Sequence, residues 1–514
     1  MRNFHVIAAA ALVYALSPAL LATSFALAPA IATLAGVLAS LFIIARNPWG
    51  EVLQRPVERR WLAICLVLAL LLSMLGGQGH FFFAKDDWLY RDAVLSDIAA
   101  HWLPVFYQDG DARYILRAPL GMYLAPAGLG HLFGLRAAHL ALLAQSAVLL
   151  GAFFYAATLA FERRRLLFLA LFVLFSGLDV LPVLIKTGGE NILVYLAFWV
   201  DDWNYPSNLT QLFWNPNHVL PGWWFAALCV LHLRREIDLA TLAAASLPLV
   251  LWSPLALFGA IALFVFLASR ELRALWSWRF ASVLATTLGF VPTLAYLVAD
   301  AGEVPHKWLV FQPSFLDFYP IFILFALTQI AFVAAFRARI APWFAGALWF
   351  SVLLLLLIPV YDLGFMKDFS MRAPIVPRAL LAFGFNALLI ELLAQGALLA
   401  AAAGALIASI GAVTPALEIY DSISTPAFRP SDCNLATVHK KLHPRDFLST
   451  YLARPESFPG FLMHAGQTNA PFAASARDCW PDRKYGEKLF NWLKPENRIW
   501  LRGPSRETPD KAGK

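Results

Sequence analysis

The chain has 514 residues, of which 60% are hydrophobic and 14% are charged, and its mean hydropathy is +0.64. A soluble domain carries about 25% charged residues and about 45–50% apolar ones. This composition therefore excludes an ordinary soluble enzyme, a disordered chain and a protein that binds nucleic acid through a basic surface. The formal net charge of +7 is instead useful for predicting topology, once the charged residues are divided between the two sides of a membrane.

Apolar blocks of roughly 18–25 residues, the length that spans a bilayer as a helix, recur along the chain. We predict an all-α polytopic membrane protein with about thirteen transmembrane helices of this kind. The predicted spans cover residues 5–24, 27–45, 61–79, 137–160, 166–185, 218–233, 238–253, 255–269, 279–298, 317–336, 343–360, 374–394 and 397–414.

The first thirty or so residues also have the pattern of a secretory signal peptide. Arg2 precedes an apolar run, and Ala26-Leu27-Ala28 is an acceptable cleavage site. The apolar run continues to Ile44, however, and this favours two uncleaved helices over one cleaved segment.

Short arginine-rich segments fall on alternate sides of the predicted spans, so they share one side of the membrane. They lie at 46–60, 163–165, 234–235, 270–279 and 337–339. The positive-inside rule makes that side cytoplasmic. The N-terminus is then cytoplasmic, and an odd number of spans places the C-terminus outside. The outer side receives the longer loops, at 80–136, 186–217, 299–316 and 361–373.

Two further segments complete this topology. Residues 119–135 are apolar, but a span there would put Glu162–Arg165 outside, so we expect an outer-face helix in the interface. Residues 1–414 form the predicted transmembrane domain, and 415–514 are polar and form a small extracytoplasmic C-terminal domain. Cys433 and Cys479 are the only cysteines of this domain, and we expect them to form a disulfide.

The first outer loop concentrates charged side chains just after the third predicted span. Lys85, Asp86 and Asp87 are followed by Arg91 and Asp92 on a segment, 88–102, whose spacing predicts an amphipathic helix on the outer membrane surface. A carboxylate at this depth can act as a general base, or hold a divalent cation against a phosphate. The alternative is a solvated loop that only connects helices.

The second outer loop combines aromatic residues with carboxylates and amides. Its candidate sugar or acceptor ligands are Glu190, Asn191, Asp202 and His218. Aromatic faces beside such groups suit a sugar, although Trp and Tyr at this depth also form ordinary membrane belts. His218 has no second histidine at metal-ligand spacing, so we predict no metal site.

The third outer loop, 361–373, carries Lys367, Asp368 and Arg372, and Arg378 follows at the start of the next span. Arginine is a good phosphate ligand because its planar guanidinium is always charged and binds in a bidentate manner. These residues favour contact with a lipid phosphate, although arginines near a membrane boundary also snorkel to the interface without binding a ligand.

The arrangement resembles the GT-C superfamily of polytopic glycosyltransferases, which includes protein O-mannosyltransferases, lipid A aminoarabinose transferases and oligosaccharyltransferases. In that family a span precedes a large outer loop with an early acidic motif, followed by outer-face helices and a span that ends at basic residues. The matching segments are KDDW at 85–88, RDAVLSDIAAHW at 91–102, APLGMYLAPAGLGHLFGLRAAH at 118–139 and FERRR at 161–165. The chain departs from the family pattern because two helices precede its first expected span.

The resemblance implies an inverting transfer of a sugar from a polyprenyl-phosphate donor to a glycan, lipid or protein acceptor at the periplasmic face of a bacterial inner membrane. Asp87 fits the catalytic base best, then Asp86, and then Asp92. The candidates for binding the lipid phosphate are Lys85, Arg91, Arg113, Arg117, Lys367 and Arg372. No cofactor is required, and a divalent cation such as Mg²⁺ or Mn²⁺ is compatible. No nucleic acid is expected as a partner.

Two other functions remain open from the sequence. A transporter or flippase of a lipid-linked glycan would need polar groups at mid-membrane and usually internal symmetry. A non-catalytic membrane scaffold would use the outer tail to bind a partner. The gathering of acids and aromatics on one face favours an outer active site over both.

Overall fold

The computed structural model describes residues 1–188, 199–200, 203–364, 367–442, 451–463 and 469–483. Within these residues the chain is mostly helical. The helices of the first half are α1 (Asn3–Leu21), α2 (Leu27–Ala45), α3 (Glu51–Gln54), α4 (Arg59–Leu75), α5 (Asp87–Ala100), α6 (Leu124–Phe133), α7 (Leu135–Ala160), α8 (Arg165–Val173), α9 (Val180–Thr187), α10 (Asn208–Trp214), α11 (Pro216–Leu233) and α12 (Leu239–Ser246).

The second half continues with α13 (Pro254–Ser269), α14 (Leu272–Leu275), α15 (Trp278–Gly289), α16 (Val291–Val298), α17 (Phe315–Ala326), α18 (Gln329–Ala335), α19 (Pro342–Leu357), α20 (Asp368–Arg372), α21 (Ile375–Ala394), α22 (Leu398–Gly411), α23 (Val413–Ser424) and α24 (Leu435–Leu442). Short 3₁₀ turns lie at Ala22–Ser24, Gln78–His80, Leu247–Leu251, Ala301–Glu303, Leu309–Phe311, Arg337–Arg339, Ile358–Val360 and Pro455–Ser457.

Six described helical segments are long and apolar enough to cross a membrane. They are Asn3–Ser24, Leu27–Ala45, Leu135–Ala160, Pro342–Val360, Asp368–Ala394 and Leu398–Ser424. Two bent pairs raise the number to eight if each pair is one span, with bends of 44° between α15 and α16 and 65° between α17 and α18. A mostly helical chain with six to eight apolar helices that could span a membrane is therefore confirmed, whereas a count of thirteen is not.

The remaining predicted spans coincide with helices that are shorter or broken. The span predicted at 166–185 is divided into α8 and α9 because the backbone at Gly177 is approached closely by another helix. A Cβ on Gly177 would lie 2.7 Å from Cα of Ala326, and the amide of Leu178 donates to the carbonyl of Phe325 at 2.7 Å. In α16, Pro292 lacks the amide that would continue α15 without a bend.

The core of the helical bundle is built around α7 and α21. Helix α7 packs against α4, α6 and α11, and α21 packs against α8, α11 and α19. Aromatic rings fill the space between them, as in the contact of Phe153 with Trp223, whose ring centroids are 5.4 Å apart. By contrast, large apolar side chains on α2 such as Leu38 and Phe42 are exposed, as expected for a helix that faces lipid.

The arginine-rich loops gather at one end of this bundle. Arg55 lies 3.5 Å from Glu162, Arg165 pairs with Glu58 at 2.8 Å, and Arg279 pairs with Asp238 at 2.6 Å. Arg279 also donates to the carbonyl of Arg46 at 2.9 Å, and Arg235 forms an ion pair with Glu271, so these contacts join four of the five basic segments. The contacts agree with the prediction that those segments share one side of the bundle.

The opposite end carries a four-stranded sheet that combines two distant parts of the chain. Strands β1 (Phe106–Asp109) and β2 (Ala112–Leu116) form an antiparallel hairpin in the first outer loop. The C-terminal region adds β5 (Leu452–Ala453) to β2 and β6 (Phe472–Ala473) to β1, in the order β5-β2-β1-β6. A separate pair joins β3 (His306–Trp308) and β4 (Tyr361–Leu363).

The described part of the C-terminal region therefore packs into the first outer loop. A disulfide joins Cys433 and Cys479, whose Cα atoms are 5.7 Å apart. The carboxylate of Asp97 in α5 accepts a hydrogen bond from the amide of Leu435 at 2.8 Å. Together with the shared sheet, these contacts make one outer unit from the loop and the tail.

Two predicted outer-face helices have different outcomes. Helix α6 has ten residues, too few to span a membrane, and exposes Leu132 and Phe133; its position in the interface stays a prediction. Helix α5 is not the amphipathic surface helix that we expected, because nearly all its side chains are buried. Apolar residues occur on several of its sides, and α6, α7 and α24 cover them.

Candidate functional site

The start of α5 brings the two leading acids into different surroundings. Asp86 precedes the helix and forms an ion pair with Arg483 of the tail, while burial raises the pKa of its carboxyl. Asp87 lies in the first turn, and its side chain is 36% exposed. A carboxylate at a helix N-terminus is stabilised by the helix dipole. Asp86 is 29% exposed, so the two acids differ less in exposure than in partner, because Asp86 pairs with Arg483 of the tail and Asp87 pairs with Arg91 of its own helix.

Arg91 connects Asp87 to the second outer loop. Its Nη2 lies 3.1 Å from Oδ2 of Asp87, one helical turn away, and donates to Oδ1 of Asn215 at 2.7 Å. It also donates to the carbonyl of Trp214 at 2.6 Å. The side chain of Arg91 is only 3% exposed. These contacts hold the Arg91 side chain in place beside Asp87.

The third outer loop approaches the same point. Arg372, in α20, forms an ion pair with Asp368 and donates to Oδ1 of Asn215 at 3.5 Å. Asn215 therefore accepts from an arginine of the first loop and from an arginine of the third. We call Asp87, Arg91, Asn215, Asp368 and Arg372 the outer charged cluster.

His218 and a tail residue border this cluster. The His218 side chain is buried at the start of α11, and its Nδ1 lies 2.7 Å from Oγ of Ser253. Both Arg91 and Arg372 act on His218 electrostatically. Tyr451 of the tail interacts electrostatically with Asp87, Arg91 and Arg372. Four separate parts of the chain thus meet here, with both signs of charge.

Two predicted phosphate ligands are committed to other contacts. Lys85 is buried and pairs with Glu418 at 2.8 Å and with Asp421, both on α23. It therefore fastens the first loop to the helix that begins the tail. Lys367 donates to the carbonyl of Val200 and is followed directly by α20, so it lies near the cluster.

Three further predicted residues lie away from the cluster. Asp92 is fully buried and faces His80 and His139. Arg113, on β2, packs over the Phe106 ring at 4.3 Å and donates to the carbonyl of Asn469. Arg117 is buried, and burial lowers its pKa, with Tyr296 and Asp300 as its charged or polar neighbours.

Three candidate sugar ligands, Glu190, Asn191 and Asp202, lie outside the described residues. Their assignment stays a prediction. Of that group, only His218 has a described position.

Sequence reasoning missed several residues that the fold brings to the site. Asn215 and Tyr451 are examples, together with Arg483, whose partner Asp86 lies 397 positions earlier in the chain. The Asn-Pro-Asn sequence before α11 was a signal for Asn215, since such sequences begin helices. No local pattern identifies a tail tyrosine or arginine as the partner of a first-loop acid.

Arg378 is a second buried arginine below the cluster. It belongs to α21, is 1% exposed, and lies over the Tyr205 ring at 5.6 Å. Its charge interacts with that of Asp179. Its guanidinium nitrogens have no hydrogen-bond partner within the described part of the chain. A buried cation of this kind is costly inside a membrane protein and usually marks a functional region.

The cluster combines an accessible carboxylate with arginines held by amide and carbonyl oxygens. This combination can accept a proton from a hydroxyl and can stabilise a phosphate, because a guanidinium pairs with phosphate oxygens in a bidentate manner. Comparison with known proteins gives no further guide: no protein-family model, curated protein or solved structure matches the chain at a significant level.

Proposed function

We propose that the chain is a GT-C-type membrane glycosyltransferase that transfers a sugar from a polyprenyl-phosphate donor to a hydroxyl acceptor at the outer face. The observation that carries this proposal is the meeting of Asp87, Arg91 and Arg372 at Asn215. Three outer loops contribute to one point, as a site for two substrates requires. The resemblance of segments 85–88, 91–102, 118–139 and 161–165 to that superfamily supports the same conclusion.

In this mechanism Asp87 is the general base. Its carboxylate removes the proton of the acceptor hydroxyl while the acceptor oxygen attacks the anomeric carbon from the face opposite the phosphate. The bond between that carbon and the phosphate oxygen breaks, and polyprenyl phosphate leaves with the electron pair. Inversion at the anomeric carbon follows from this single displacement.

The leaving phosphate needs a positive partner at the moment when its charge develops. Arg372 is the best placed residue, because its side chain is 15% exposed, whereas Arg91 is 3% exposed and engaged on three oxygens. We assign phosphate stabilisation to Arg372 and orientation of Asp87 to Arg91.

The test is an assay of donor consumption by the purified full chain with a panel of polyprenyl-phosphate sugars. We expect Asp87→Asn to lower turnover by at least about a hundredfold, the usual contribution of a positioned base. Asp111→Asn is the matched control, because Asp111 is exposed in the turn of the same loop, and it should retain turnover.

The proposal fails if the wild-type chain consumes none of these donors, or if Asp87→Asn retains full turnover. Transport of a lipid-linked glycan across vesicles without consumption would instead support the transporter. Binding of a partner to the tail without either activity would support the scaffold.

A further inference from the structure

Three potential metal ligands meet on the side of α5 that faces away from the outer charged cluster. They are His80 in the turn before α5, Asp92 in α5, and His139 in the second turn of α7. One ligand atom from each residue lies within 4.8 Å of the other two. This group is separate from the machinery proposed for sugar transfer.

The spacing of these atoms is close to that of a metal site. Oδ2 of Asp92 lies 2.8 Å from Nε2 of His80, and Oδ1 of Asp92 lies 3.9 Å from Nδ1 of His139. Ligands bound at about 2.0–2.1 Å in a tetrahedron stand about 3.4 Å apart. The two observed separations lie on either side of that value, so small rotations of the side chains would complete the geometry.

The same atoms are buried, and most of them lack ordinary partners. The side chains of His80, Asp92 and His139 are 2%, 1% and 0% exposed. Nε2 of His80 and Oδ2 of Asp92 face each other at 2.8 Å, whereas within the described residues Oδ1 of Asp92 and both ring nitrogens of His139 have no hydrogen-bond partner. Buried polar atoms are almost always satisfied, so this concentration of unsatisfied atoms indicates a missing ligand.

The surroundings of His80 have the form that supports a metal ligand. Its Nδ1 lies 3.0 Å from the carbonyl oxygen of Phe428, which can only accept, so Nδ1 carries a proton and Nε2, which faces Asp92, is the nitrogen that can bind a metal. Metal-binding histidines usually donate their other ring N–H to such a carbonyl. The Phe428 ring also packs edge-on against His80 at 5.2 Å.

We propose that His80, Asp92 and His139 bind a zinc ion that clamps the first outer loop, α5 and α7 together. Two imidazoles and one carboxylate are zinc ligands, whereas Mg²⁺ and Ca²⁺ prefer oxygen ligands throughout. A water molecule supplies the fourth ligand. The ion stabilises the fold, because its ligands are buried and come from three segments that the sequence separates by 12 and 47 positions.

The competing explanation is an ion pair without metal, in which His80 is an imidazolium beside the Asp92 carboxylate. Arg136 donates to the carbonyl of Gly79 at 2.8 Å, so a second positive charge already lies beside this group. The ion-pair explanation gives no role to His139, whereas zinc binding requires it. The two explanations are therefore separated by the metal content of a His139 variant.

The experiment measures the number of zinc ions bound per chain by elemental mass spectrometry. The full chain is purified in detergent through a tag without histidine, equilibrated with zinc, and passed over a chelating resin. We expect about one zinc per wild-type chain, since the three residues form a single site, and less than a tenth of that in His139→Gln and in Asp92→Asn. His131→Gln is the control, since His131 is exposed on the neighbouring α6, and it should keep the zinc.

A second measurement keeps the proposal testable if these variants do not fold. Wild-type chain loaded with Co²⁺ should show the visible absorption of a tetrahedral site, and added zinc should abolish it. The proposal is overturned by wild-type chain without zinc, by another metal bound in its place, by zinc retained in both variants, or by Co²⁺ without that absorption.

Discussion

At the residue scale, the neighbouring acids Asp86 and Asp87 differ in the residues that their carboxylates contact. Successive residues of a helix point about 100° apart, so the two carboxylates face different parts of the fold. Asp86 meets Arg483 of the tail, and Asp87 meets Arg91 and remains partly exposed. The ranking of Asp87 ahead of Asp86 as the catalytic base stays a prediction, and no feature of the sequence reveals Arg483 as a partner.

The group formed by His80, Asp92 and His139 could not be predicted from local sequence patterns, for a similar reason. Metal sites are recognised in a sequence by close ligand spacing, such as two histidines within one helical turn. Here His80 and His139 are 59 positions apart and meet only because α4 and α7 are packed together. From the sequence we predicted no metal site, because His218 has no second histidine at metal-ligand spacing.

Asp97 provides a test of the outer unit through pH. Burial raises the pKa of its carboxyl from 3.8 to about 7, despite hydrogen bonds from Tyr107 at 2.6 Å and from the amide of Leu435. Between pH 4 and pH 7 the native state therefore keeps a proton that the unfolded state has released. The free energy of unfolding accordingly falls as the pH rises through this window, and changes no further from this group above it.

We expect Asp97→Asn to remove this dependence, because the amide oxygen still accepts both hydrogen bonds and carries no charge to bury. The melting temperature of the wild-type chain should fall from pH 5 to pH 8 more steeply than that of the variant. Asp109→Asn, at an exposed position of β1, is the control and should follow the wild type. Equal slopes for wild type and Asp97→Asn would contradict the assignment.

At the element scale, the helices α2 and α15 show how the sequence specifies close packing. Their backbones touch at Gly36 and Gly289, where a Cβ added to Gly36 would lie 2.9 Å from Cα of Gly289. Small residues at helix contacts in membranes permit such an approach and the dispersion contacts that follow. The contact holds the exposed helix α2 against the bundle.

We expect Gly36→Val to separate these helices and lower the melting temperature by several degrees, since overpacking costs about 1–3 kcal/mol. Gly302→Ala is the control, because nothing lies within 4 Å of a Cβ at that position. Both are measured by thermal unfolding in detergent. A Gly36→Val variant as stable as the control would show that the two helices do not touch.

The elements themselves were predicted with uneven success. A helix lies at each of the thirteen predicted spans, because apolar blocks of this length specify helices well. The breaks were not predicted: Gly177 and Pro292 were read as parts of continuous spans, although close backbone approach and a missing amide interrupt them. The burial of α5 also depends on its partners α6, α7 and α24, which no local pattern reveals.

At the scale of the whole molecule, the tail is part of the outer unit. It contributes two strands to the sheet of the first loop, and Arg454 pairs with Asp300 of another outer loop at 2.8 Å. The amide of Ala26 donates to the carbonyl of Leu462 at 2.8 Å. The change of composition after Pro415 predicted an appended domain. Composition alone does not reveal the contacts that the tail makes with the outer loops.

We expect a chain that ends at residue 424 to lose outer-loop structure, because Asp97 and the edges of β1 and β2 lose their partners. Limited proteolysis should cleave residues 80–118 in this shortened chain and spare them in a chain that ends at residue 483, which retains every described contact. Equal protection of the two shortened chains would contradict the composite outer unit and favour an independent tail domain.

The arginine-rich loops and the outer charged cluster lie at opposite ends of the molecule, which supports an active site at the outer end. Arginine-rich loops are joined by ion pairs at one end, and the outer charged cluster lies at the other. The most direct test of this account is a structure of the full chain determined by electron microscopy with bound polyprenyl phosphate. The account predicts phosphate density in contact with Arg372 and beside Asp87, with the lipid chain leaving toward the membrane. Phosphate bound elsewhere, in a central cavity between the helices or away from Asp87, would contradict it.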